Sequence, residues 1–146
     1  MEKLKKLLSK ETINMDLGLL ILRLGVGLSM AIFHGYGKIS GGPERWERIG
    51  SAMQNLGISF LPTLWGFMAA FSEFFCSIFL VLGILFRPAA LFLAFTMFIA
   101  MINHLNLPAD SPNAGFSGAS HAIELMAVYV GLLYLGSGKF TVTSKL

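Results

Sequence analysis

The chain has 146 residues, of which 55% are apolar and 13% charged, and its mean hydropathy is +0.70. A soluble domain carries about 25% charged residues, and a fold this small buries the smaller share of its surface. That excludes a soluble globule, and the same figures exclude a disordered or disulfide-stapled chain. The net charge of +3 is unevenly spread.

Lys3, Lys5, Lys6 and Lys10 crowd the start of the chain with no aromatic residue between them. Ahead of an apolar stretch, such a run is a topology signal rather than a nucleic-acid surface. Crossing a bilayer takes about 20 apolar residues, and four stretches meet that length: 17–37, 61–86, 88–107 and 119–136. The first is read as a mature helix rather than a signal peptide, since it is long, contains Arg23 and lacks a small-residue cleavage site. Between the first two spans, Trp46, Ile49, Met53 and Leu56 recur at helical spacing among Glu44, Arg45, Glu47 and Arg48. This predicts a short amphipathic helix in the interface, stopped by Gly57. Pro62 and Pro88 fall near first turns, where a missing N–H costs little. Phe86-Arg87-Pro88 is short enough to force an antiparallel hairpin, and residues 108–115 read as a turn-rich loop.

The expected fold is therefore all-α: an antiparallel four-transmembrane-helix bundle, one domain over residues 1–146, with a short interfacial helix between helices 1 and 2. Lys and Arg near the span ends number seven on the side of the termini and three on the other. That excess places both termini in the cytoplasm.

Ionisable residues inside a bilayer normally face the bundle interior. Asp16, Arg23, Gly27, Met30 and His34 fall on one stripe of the first span, and Gly66, Ala69, Ala70, Glu73 and Ser77 on one stripe of the second. Arg23 lies 15 residues below Lys38, and Glu73 lies 12 below Leu61. At 1.5 Å per residue these depths are roughly 22 and 18 Å, which predicts a buried Arg23–Glu73 ion pair fixing helix register, or a proton or ligand role for the two.

All three histidines, His34, His104 and His121, fall near the outer level together with Lys38 and Glu124. Three readings stand beside one another. His34, His104, His121 and Glu124 could ligate a metal ion. The five residues could line a polar pocket for an organic ligand. They could also be half-hydrated helix-end residues with no further role. Glu73 and Glu124 are too few carboxylates for a di-iron bundle. Cys76 is the single cysteine, so no dithiol chemistry is available within the chain. Adjacent Ser120 and His121 point to different helix faces, which argues against a catalytic triad with Glu124.

Taken together, Leu22-Arg23-Leu24-Gly25, the exit His34-Gly35-Tyr36-Gly37-Lys38, Glu73, the turn from Gly83 to Arg87, and Glu124 resemble the DoxX family over roughly residues 14–138. The resemblance implies a four-helix multi-pass protein of the bacterial cytoplasmic membrane, and it associates the chain with quinone-linked redox systems. Arg23, Glu73 and Glu124 match the family's polar positions. On this reading the protein is a subunit or accessory of such a system, held in the lipid bilayer with a redox partner protein. His34, Lys38, His104 and His121 would hydrogen-bond a quinone, with Glu124 as proton partner. A non-catalytic scaffold is the alternative, and a small proton-coupled transporter using Asp16, Arg23 and His34 is the third reading. Small-residue faces suit a homo-oligomer.

Overall fold

A chain segment surrounded by lipid must satisfy its own backbone hydrogen bonds, which favours helix throughout. A computed structural model describes residues 9–142, and among these it contains helices and no strand. Lys3, Lys5, Lys6 and Lys145, which enter the charge asymmetry, lie outside the described residues. Among the described residues four helices are long and apolar enough to cross a membrane: α1 (Met15–Ile39), α3 (Pro62–Leu82), α4 (Phe86–Leu105) and α5 (Gly115–Leu135). The short helix α2 (Gly42–Gly50) runs into a 3₁₀ segment, Ser51–Leu56. Gly57 ends that segment in the left-handed region, as its position in the sequence predicts.

The expected bundle is present, with shifted ends. Helix α3 stops at Leu82, four residues before the predicted end at 86, because Gly83 adopts φ +74°. The hairpin turn is therefore Gly83-Ile84-Leu85, and Phe86, Arg87 and Pro88 form the first turn of α4. Both α1 and α3 contain a π-helical turn, Met30–Gly35 and Ser72–Cys76. The two turns pack against each other. A Cβ on Gly35 would lie 2.6 Å from the backbone of Glu73 and Phe74, so only glycine permits this approach. The bundle core is formed by residues such as Leu19, Met30, Leu80, Leu93, Tyr129 and Leu132.

Register explains one correction. Gly27 abuts Ser77 and Val81, and Gly35 abuts Glu73. Helix α3 thus starts beyond the end of α1 and rises beside α2, where Gly50 and Gly66 let the two backbones touch. Measuring Arg23 from Lys38 and Glu73 from Leu61 assumed that these two ends were level, and they are not. Arg23 lies beside the end of α3 instead of beside Glu73, and the two residues form no ion pair.

Arg23 is 1% exposed and bonds to backbone carbonyls. Its Nε donates to Leu80 O at 3.0 Å, Nη2 to Val81 O at 2.7 Å and Nη1 to Ser137 O at 2.5 Å. The last turn of a helix leaves four carbonyls without intrahelical donors, and here each one has a named partner. Phe79 O accepts from Gly83 N and Ile84 N, Leu80 O also accepts from Gly83 N, and Leu82 O accepts from Val142 N. The cation sits at the negative end of the α3 dipole, which favours it further.

Candidate functional site

Beyond the π turn, the last turn of α1 carries Lys38. Its Nζ donates to Glu73 Oε1 at 2.7 Å and lies 2.6 Å from Oε2. The Glu73 side chain is 3% exposed and that of Lys38 27%, so the carboxylate is inside the protein and the ammonium reaches it from the edge. Trp46 of α2 fixes the approach. Its Nε1 donates to the Lys38 carbonyl at 2.8 Å, and its ring meets Phe67 of α3 edge-on at 5.0 Å.

A cavity of about 310 Å³ opens against this pair, bounded by α2 and its 3₁₀ extension, α3 and α4. Its wall is mainly apolar, with Met53, Trp65, Met68, Phe92 and Phe95 among the lining residues. The polar groups of the lining are Lys38, Glu73, Arg48, Thr96, Asn103 and His104. This size and mixture, apolar walls with a few convergent polar groups, suit a small organic ligand. His104 Nδ1 lies 2.9 Å from Asn113 O in the loop after α4. A carbonyl only accepts, so Nδ1 carries the proton in this contact and Nε2 is the ring nitrogen left for other partners.

The outer polar residues predicted as one cluster occupy two places. Lys38 and His104 line the cavity just described. His34 and His121 stack on each other across α1 and α5, centroids 5.5 Å apart, beside a smaller cavity of about 160 Å³. Glu124 is exposed on α5. The proposed metal set His34, His104, His121 and Glu124 therefore does not converge. Among the described residues, no group of three or more His, Cys, Asp or Glu side chains is placed to hold a metal ion. The reason is connectivity: α1 and α4 each pack on α3 and scarcely on each other, so the histidines of α1 and α4 face different helix pairs.

Sequence reasoning missed the Lys38–Glu73 contact and the part played by Trp65, Met53 and Phe95. A π turn leaves no mark on apolar periodicity, yet it shifts every later side chain around the helix. The pairing of glycines Gly35 and Gly37 just before Lys38 was the available signal, and it reads more readily as a helix end. Hydroxyls of Ser72, Ser77 and Tyr129 are also buried without a hydrogen-bond partner among the described residues.

Four membrane-length helices, an interfacial helix and a buried ion pair beside an apolar cavity define a multi-pass helical membrane protein with a ligand-sized pocket. A family model described as DoxX matches residues 18–106, and the chain belongs to that family. The match covers α1 through α4, including Arg23, Lys38, Glu73 and His104, and leaves α5 with His121 and Glu124 outside it. No curated protein and no solved structure matches the chain.

Proposed function

We propose that this protein is a membrane subunit of a redox system, holding a quinone-like molecule in the cavity between α2, α3 and α4. The observation that supports it most is the pairing of Lys38 and Glu73 in the wall of an apolar cavity whose lining also includes His104. A flat ring bearing oxygens finds aromatic and thioether surfaces here, Trp65, Phe95, Met53 and Met68, on which it can pack. When bound, such a molecule supplies reversible two-electron, two-proton chemistry. The chain's own residues supply hydrogen bonds and proton positions. Lys38 Nζ donates to a ring oxygen, His104 Nε2 accepts from a hydroxyl, and the Glu73 carboxylate beside Lys38 is the buried proton acceptor. The charge asymmetry favours a cytoplasmic membrane with both termini inside, which puts the cavity on the outer side. Electrons would then be exchanged with a partner protein.

Trp65 provides the readout, because quinones quench indole fluorescence on contact. The full chain in lipid nanodiscs, titrated with a short-chain ubiquinone, is expected to show saturable quenching. Lys38→Met and His104→Phe should each weaken it about tenfold, a loss of roughly 1.4 kcal/mol. Saturation unchanged in both variants, with both still folded, would overturn the assignment. So would the absence of saturable quenching in the parent protein.

A further inference from the structure

Helix α5 spans Gly115–Leu135, and Glu124 stands near its midpoint, nine residues from Gly115. At 1.5 Å per residue it is about 13 Å down the span. Its side chain is on the exposed side of the helix, opposite buried Ala119, Ala122, Tyr129 and Leu132. Among the described residues it makes no ion pair and no hydrogen bond. An acid at the centre of a span costs about 2.5–3.5 kcal/mol when left to lipid, and such residues turn inward or are covered. Among the described residues of one copy nothing covers Glu124.

We infer that a second copy of this chain docks on the α5 face, about a twofold axis along the membrane normal, with each Glu124 meeting the other copy's His121. Three features favour a second copy as the occupant. The face holds an acid and an imidazole one turn apart, an acceptor and an N–H donor, so it is complementary to itself. A twofold along the normal keeps every residue at its own depth. Glu124 and His121 differ by three residues, about 4.5 Å, which side chains bridge. The surface around them is small or hydroxylated, with Ser117, Ser120 and Ala127 exposed and open space beside Gly131, so two helices can approach closely. His121 is already oriented by its stack on His34. The inference does not depend on the ligand proposed above, whose cavity lies on the other side of α4.

The test uses the full chain in its native membrane and then in lipid vesicles at falling protein-to-lipid ratio. Ala127→Cys should cross-link into a dimer on mild oxidation, whereas Leu91→Cys, exposed on α4, should not. In vesicles, energy transfer between labelled copies should report a dimer, and Glu124→Leu should raise its dissociation constant about tenfold or more, in proportion to the lost contact. The exchange pair His121→Glu with Glu124→His should recover part of that loss, which a merely structural role would not do. The inference is overturned by a monomer at every dilution, by cross-linking at Leu91→Cys equal to that at Ala127→Cys, by a dimer indifferent to Glu124→Leu, or by a different membrane protein found covering Glu124.

Discussion

Helix α1 carries two cations fifteen residues apart, and the protein satisfies them in opposite ways. Arg23 is buried against neutral carbonyls and spends three donors on the end of α3 and the segment after α5. Its planar fork suits several fixed acceptors at once, and its charge is permanent. Lys38 is a single point charge on a flexible stem, set against one buried carboxylate at the wall of a cavity. Both members of that pair line the cavity. One end of the bundle is thus fastened by dipoles that cannot titrate, and the other holds a pair that can respond to a ligand. The contrast separates a structural half from a candidate functional half within one helix.

The sharpest way to break the comparison is to remove Arg23. Arg23→Met leaves the carbonyls of Leu80, Val81 and Ser137 short of donors in a buried site. Charge-assisted hydrogen bonds contribute about 1.5–3 kcal/mol each, so a loss on the order of 3–5 kcal/mol is expected after partial rehydration. Arg23→Lys should recover only part of it, because an ammonium cannot reach three divergent acceptors. Thermal unfolding in detergent measures both variants. Ligand binding by whatever fraction remains folded should be unchanged. A binding defect in folded Arg23→Lys would mean that the two ends of α1 are coupled and the division between halves is wrong.

Gly35→Ala probes the boundary between those halves. The added methyl meets the Glu73 backbone at 2.6 Å, and neither helix can yield locally without unwinding its π turn. Overpacking of this kind costs about 1–3 kcal/mol. It should also move Lys38 away from Glu73, so that this variant, unlike Arg23→Lys, weakens saturable ligand binding along with stability. Normal binding at reduced stability would show that the ion pair tolerates a shift of its helices.

The difference between the two cations was only partly legible in the sequence. Apolar length marked the four spans, and spacing at Trp46, Ile49, Met53 and Leu56 marked the interfacial helix. Of the stripe Asp16, Arg23, Gly27, Met30 and His34, the middle three are buried and the two end residues half-buried. What the pattern could not carry was the offset between helices. Depth counted from each helix end assumes level ends, whereas α3 rises past α1 alongside α2, and that offset together with the π turns exchanges the partners of Arg23 and Glu73. His34, His104 and His121 were placed at one level, and level along the normal says nothing of which helix pair a side chain enters. That depends on which helices are neighbours, and α1 and α4 both pack on α3 and scarcely on each other.

Ser77→Ala sharpens the account of the region around Glu73 with an effect of opposite sign. The Ser77 hydroxyl is fully buried and has no hydrogen-bond partner among the described residues. Burying an unpaired hydroxyl costs roughly 1–3 kcal/mol in mutational series, so its removal is expected to raise stability by about 1 kcal/mol. A lowered melting temperature would instead mean that the hydroxyl is satisfied by ordered water, making the region near Glu73 wetter than the geometry of its side chains suggests.

The smallest effect is expected at the end that the comparison calls structural. Asp16 accepts from Lys139 N at 3.1 Å and lies 3.5 Å from Lys139 Nζ. The Lys139 side chain is 86% exposed and that of Asp16 29%, so the ion pair is largely screened by solvent. Exposed pairs of this kind contribute about 0–1 kcal/mol. Asp16→Asn removes the charge and keeps an oxygen for the Lys139 backbone N–H, so it should shift stability by less than about 1 kcal/mol. Asp16→Ala removes the acceptor as well and should loosen the segment from Gly136 to Val142, read as faster amide exchange at Lys139. If Asp16→Asn alone matched the cost of Arg23→Lys, a screened surface charge and not the buried guanidinium would be holding that segment beneath the bundle, and the contrast between fixed dipoles and a cavity-lining ion pair would fail at its better-defined end.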